Sequence, residues 1–143
     1  MHFVPRVCKN LIIDGITIGT AAFTPNTDAI APTNCTNTLI ANCTIACGDD
    51  GIILKGATSA QKPISNMLVT HNTVRNAHCG FGIGSENVPG TEKVIVCNNT
   101  FIRSSNAYIL FKTPAGRGGF TKHLYIFDNT IKDAARVIGF DTH

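Results

Sequence analysis

Three aspartates, a histidine and a lysine stand out in this chain for the chemistry they could do together. Asp28 ends the run Asn26-Thr27-Asp28, Asp49 and Asp50 lie between Gly48 and Gly51, His78 precedes Cys79-Gly80, and Lys112 follows Leu110-Phe111. Carboxyl pairs cleave glycosidic bonds when one carries a proton for the leaving oxygen and another, ionised, activates water. Crowding three of them disfavours ionising all, so one keeps a proton and can serve as the acid. A lysine nearby offsets part of the repulsion and can pair with a carboxylate on the substrate. Taken singly, each residue has a plainer reading. Asn-Thr-Asp is a common Asx turn, Asp-Asp in a turn is usually solvated, and an isolated histidine or lysine is more often a turn or surface residue. The chemical reading therefore depends on whether the fold brings them to one face.

The positioning elements come from a repeat. An apolar triplet, three mostly small or polar residues, a Thr and another apolar residue recur, with the Thr at Thr17, Thr44, Thr73, Thr100 and Thr130, spaced 27, 29, 27 and 30 residues apart. A second apolar strand follows each Thr. Aligning these strands puts Ile30, Ile52, Phe81, Ile109 and Ile138 in one column and Pro32, Leu54, Ile83, Phe111 and Phe140 in the next. Period-two alternation predicts strands, and no stretch carries a capped 3.6-residue period. A coil of this size cannot bury its apolar face alone, so the coils must stack. The expectation is an all-β parallel β-helix of about five coils, one domain over residues 1–143, with no repeat left over for caps. A solenoid with open ends exposes strand edges, which predicts a fragment of a longer protein, or self-association through those ends.

The same alignment sets Asp28 above Asp50, Asp49 beside His78, and Lys55 in line with Lys112 two coils away. It also predicts ladders of Asn72, Asn99 and Asn129 and of Cys8 with Cys35. Alternation sends Asp49, Gly51, Ile53 and Lys55 outward and Asp50 inward, unless the chain bends at the glycines flanking the acid pair. In coil three it sends Gly80, Gly82 and Gly84 outward, a bare floor on which a flat polymer could lie.

Composition narrows the classes without choosing among them. The chain is 43% apolar and 15% charged, has no Trp, and carries a net charge of +3 that would suit an anionic ligand. No apolar run is long enough to cross a membrane, and the first residues lack the apolar core of a signal peptide. Six cysteines without CxxC or Cys/His spacing read as buried thiols rather than a zinc site. Gly116-Arg117-Gly118-Gly119 reads as a flexible loop, since it lacks the strand-to-helix setting of a phosphate cradle.

At these residues the sequence resembles the polygalacturonase family of glycoside hydrolases. That family's signature is Asn-Thr-Asp, then Gly-Asp-Asp, then a Gly-His-Gly type segment, then Arg-Ile-Lys. Here the matching stretches are Asn26-Thr27-Asp28, Gly48-Asp49-Asp50, His78-Cys79-Gly80 running on to Gly84-Ser85-Glu86, and Leu110-Phe111-Lys112 followed by the Arg117 loop. The resemblance implies a right-handed parallel β-helix that hydrolyses α-1,4-linked galacturonate, an acidic polysaccharide, by inversion and with no cofactor or metal. It implies Asp49 as general acid, Asp28 and Asp50 as holders of the attacking water, and His78 tuning the acid or binding sugar. Lys112, Asn26, Arg117 and Lys55 would then bind substrate. The parent enzyme would be secreted or periplasmic. Three departures stand out: Leu110 replaces the family arginine, Cys79 replaces a usual glycine, and the chain holds about half the expected coils. Rival readings are an inactive solenoid that binds acidic glycan, a polysaccharide lyase on the same fold, and an assembly module. Neither a nucleic-acid nor a membrane partner is expected.

Overall fold

The structure, a computed structural model, describes residues 1–22, 24–57, 62–133 and 135–142. Among them there is no helix; fourteen strands form three parallel sheets that make the sides of a solenoid. The first side stacks β1 (Lys9–Asp14), β3 (Thr36–Ala41), β6 (Ile64–Thr70), β9 (Thr91–Cys97) and β12 (Thr121–Phe127). The second stacks the short strands β2 (Thr17–Gly19), β4 (Thr44–Ala46), β7 (Thr73–Arg75), β10 (Thr100–Ile102) and β13 (Thr130–Lys132). The third stacks β5 (Ile52–Gly56), β8 (Cys79–Asn87), β11 (Ala107–Lys112) and β14 (Ile138–Asp141). Coil one meets this third side only through bridges, Ile30 to Ile52 and Thr33 to Lys55. The chain thus makes about four complete turns, with a fifth rung on two sides.

The repeat read from the sequence is the register of the sheets. Thr17, Thr44, Thr73, Thr100 and Thr130 pair rung to rung. So do Ile52, Phe81, Ile109 and Ile138. Ile40, Val69 and Val96 from the first side, Ile45, Val74 and Phe101 from the second, and Ile52, Leu54 and Phe81 from the third meet in one core, all at most 1% exposed. Each large side chain so buried contributes about 1.5–3 kcal/mol.

The corner between the first two sides needs a left-handed backbone residue in every coil. Gly15, Asn42, His71, Asn98 and Asp128 supply it, with φ between 52° and 67°. Gly, Asn and Asp tolerate that conformation best, which accounts for the abundance of Asn at these turns. One residue on, the expected Asn ladder is present, with Asn72 and Asn99 buried and Asn129 half-buried. Asn99 Oδ1 accepts from the backbone N–H and the amide of Asn72, while Asn99 Nδ2 donates to the carbonyls of Val69 and Cys97 and to Asn129 Oδ1, all at 3.0 Å. Replacing Asn99 with Ala strips these partners from groups that water cannot reach. The expected loss is about 2 kcal/mol of unfolding free energy, read from the urea midpoint; a variant within a few tenths of the parent would show that the ladder adds nothing. All six cysteines are free thiols, including the stacked Cys8 and Cys35.

Candidate active site

On the third side the alternation breaks just ahead of Ile52 and Phe81, and that break builds the site. A Cβ on Gly51 would meet Val74 Cγ1 at 2.4 Å, and one on Gly80 would meet Phe101 Cδ1 at 2.5 Å, so both positions face the core. Their neighbours Ile52 and Phe81 also face the core. Two successive inward residues require a bend, and the bend turns the preceding column outward: Asp28, Asp50, Cys79 and Ala107. The expectation that Gly51 and Gly80 point outward is therefore wrong, and the bend allowed for at Asp50 is real. The bare glycine floor is also corrected. The outward space at Gly82 is occupied by Ile53 Cδ1 and Cys79 Sγ, at 2.7 and 2.9 Å from a Cβ there.

Beside this column runs a second. The His78 N–H donates to the Asp49 carbonyl at 2.8 Å, and the Asn106 N–H to the His78 carbonyl at 3.0 Å. The two columns bring the acids together: oxygens of Asp28, Asp49 and Asp50 all lie within 4.8 Å of one another. Each is held differently. Asp50, 2% exposed, accepts from Lys112 Nζ at 2.5 Å and from the Cys79 thiol at 3.1 Å. Asp28, 3% exposed, forms an ion pair with Lys55, whose Nζ lies 3.0 Å from its buried Oδ2. Asp49, half-buried, accepts from the backbone N–H groups of Asn26 and Asp50 at 2.8 and 2.9 Å. Asn26 reaches it by adopting a φ of 58°. Thr27 ties the same two coils, its hydroxyl accepting from the Gly48 N–H at 3.1 Å.

The thiols beneath the acids stay neutral. Burial pushes Cys47 up to about 12, helped by the charges of Asp50, Asp49 and Asp28 and opposed by its contact with the Asp49 carbonyl. Burial also pushes Cys79 well up, with Asp50 adding to it, which keeps its S–H available as a donor. Burial works against the Lys112 ammonium, yet Asp50 by charge and hydrogen bond, then Cys79 and Asp49, outweigh it and leave Lys112 above its ordinary value.

His78 stands one coil from Asp49, with Nε2 3.2 Å from Asn106 Nδ2 and Nδ1 3.4 Å from Ser105 Oγ. Asn106 Oδ1 accepts from the Arg136 guanidinium, which can only donate, so the amide nitrogen is the end that faces His78. Arg117 is not in the acid cluster. It donates to Ser85 Oγ at 2.8 Å and lies 3.8 Å from Glu86, whose other oxygen is 3.7 Å from Lys55. Glu86, Asn106 and Arg136 are thus part of the site's surroundings; the motif reading quoted Glu86 without giving it a role and included neither of the other two. For Arg136 the signal existed, since the column can be counted one coil further.

Comparison with known proteins places the chain among sequence and structural relatives. A "Probable polygalacturonase" of Vitis vinifera is 34% identical over 134 residues, covering 90% of this chain and 27% of the relative. An "Endo-polygalacturonase" of Pectobacterium carotovorum subsp. carotovorum is 29% identical over 126 residues, covering 88% of this chain and 30% of that one. The crystal structure of a hyperthermoactive exopolygalacturonase from Thermotoga maritima superposes with a TM-score of 0.82 at 27% identity, over 96% of this chain and 33% of that chain. The chain therefore spans about a third or less of the length of these relatives. The model of the family "Glycosyl hydrolases family 28" matches from residue 1 to residue 142, across both acid columns and every rung of the solenoid, and the chain belongs to that family.

Proposed function

We propose that this chain carries the catalytic coils of a hydrolase that cleaves α-1,4-linked galacturonan, with inversion at the anomeric carbon. The observation that carries the reading is the meeting of Asp28, Asp49 and Asp50 within 4.8 Å, on two neighbouring columns of one solenoid side. Two of the three are paired with ammonium groups, Asp28 with Lys55 and Asp50 with Lys112. Asp49 has no cation partner among the described residues and is the most open of the three. The division of labour follows. Asp28 and Asp50 hold and polarise the attacking water. Asp49 delivers the proton to the departing glycosidic oxygen. Its two backbone donors orient the carboxyl without using all its acceptor sites.

The oxygens approach more closely than the roughly 6.5–9.5 Å separation usual for inverting carboxyls. A water gripped between Asp28 and Asp50, with the leaving oxygen at Asp49, accommodates this without a covalent intermediate. His78, anchored by Ser105 and Asn106, borders the acid and offers a polar edge to the sugar. Lys112 keeps N–H groups beyond the one given to Asp50, and these can meet a uronate carboxylate. Arg117 and Lys55, joined through Glu86, extend the positive rim away from the acids. A polymer of this kind lies outside the cell, so the whole protein is proposed to be exported.

The test is a reducing-end assay on polygalacturonate followed by NMR of the first product. Inversion of an α linkage releases the β anomer first; the α anomer would replace inversion with retention. Products with ultraviolet absorbance from a new double bond, and no net water added, would replace hydrolysis with elimination.

A further inference from the structure

We propose that Arg136 is a carboxylate-binding point at the coil-five end of the acid column, gripping a uronate of the bound polymer away from the bond that is cut. The inference takes its substrate class from the hydrolase reading and adds a specificity residue to it.

Register carries Arg136 to that place. Ile109 pairs with Ile138 and Leu110 with Gly139, and the Tyr108 and Ile109 N–H groups donate to the Arg136 and Val137 carbonyls at 3.2 and 3.1 Å. Counting back from Ile138 sets Arg136 beside Ala107. Arg136 is thus the coil-five member of the outward column that holds Asp28, Asp50, Cys79 and Ala107. Its side chain folds across the strand into the space that Gly139 leaves: a Cβ there would stand 3.1 Å from both Nε and Cζ of Arg136 and 3.0 Å from Leu110 Cδ1. Leu110 is fully buried, so the guanidinium lies over an apolar floor. An apolar floor weakens competition from water for whatever the guanidinium binds.

Occupancy of its donors points the same way. One N–H group donates to Asn106 Oδ1, the amide whose nitrogen faces His78. Among the described residues no carboxylate lies within ion-pair distance of Arg136, although Lys55, Arg103, Lys112, Arg117 and Lys122 all have one. An arginine has five N–H donors in a planar fork that matches a carboxylate, and Arg136 is exposed with donors beyond the one given to Asn106. Coils stack about 4.8 Å apart, which sets coil five roughly 14 Å from the coil of Asp50. That is too far for the sugar being cut and suits a neighbour further along the chain of sugars.

The experiment is calorimetric binding of oligogalacturonate and of its methyl-esterified, uncharged counterpart, in the Asp49→Asn background so that ligand is not consumed. Adding Arg136→Ala is expected to weaken the Kd for the charged oligomer about tenfold and to leave the esterified oligomer unchanged. Arg136→Lys, which keeps the charge without the fork, should fall between. An unchanged Kd for the charged oligomer, an equal loss on both oligomers, or no binding by the parent overturns the assignment. The hydrolase reading fails separately: the protein with Asp49 intact would release no reducing ends while the tenfold binding difference stood.

Discussion

Asp49→Asn is expected to lower kcat on polygalacturonate by about three orders of magnitude, the scale on which a positioned proton donor acts. The substitution keeps size and shape and removes only the ability to deliver a proton. Asp49 accepts one backbone N–H on each oxygen, from Asn26 and from Asp50. The asparagine can satisfy one of these with its carbonyl but presents N–H to the other. That mismatch costs about 1 kcal/mol, a shift of a few degrees in the unfolding midpoint. The two readouts together make the test sharp. A large activity loss with a nearly unmoved midpoint locates the effect in the chemistry. Activity within tenfold of the parent would remove Asp49 from the role of acid, and a midpoint lowered by fifteen degrees or more would make it a structural residue of the turn.

How far such a site is legible in sequence depends on which periodicities carry information. The rung-to-rung register was open to reading because two unrelated signals agree, the Thr column and the apolar columns, and a register wrong by one residue would have broken both. From that register the stacking of Asp28 on Asp50 and of Asp49 beside His78 follows by counting, as does the Asn ladder. The direction of the side chains was less accessible. Alternation assumes an unbent strand, and two consecutive core-facing residues, Gly51 with Ile52 and Gly80 with Phe81, give no signal in a hydropathy pattern because glycine carries none. Only the close approach of Val74 and Phe101 reveals that both glycines sit inside the corner. Contacts set by side-chain reach were out of range altogether. Nothing in the string places the Cys79 thiol on Asp50 or sends Lys112 across 62 residues to the same carboxylate. Leu110 shows the opposite case. Its type alone announces that a guanidinium is absent from that rung, and the structure buries it as floor, leaving the next coil's arginine over it.

The pairing of Lys112 with Asp50 leads to the second large effect, this time on stability. Lys112→Met leaves Asp50, 2% exposed, with only the Cys79 thiol as donor. A buried carboxylate that loses its counter-charge costs about 3 kcal/mol, read as a fall of roughly 10 °C in the unfolding midpoint. The double variant Lys112→Met with Asp50→Asn removes both charges and should recover most of that loss, because the penalty lies in the unpaired carboxylate and not in the missing lysine. The dependence on pH has a definite sign. Lys112 is held above its ordinary value, as burial is outweighed by the charge and hydrogen bond of Asp50. The pair's contribution is therefore complete below the unfolded lysine value of about 10.4 and is lost as pH rises through the higher folded value. The parent should lose stability across that alkaline window, and Lys112→Met should show correspondingly less decline there. A single variant as stable as the parent at neutral pH would mean that Asp50 keeps its place without the ammonium. The triad would then be assembled by the backbone bend at Gly51 alone.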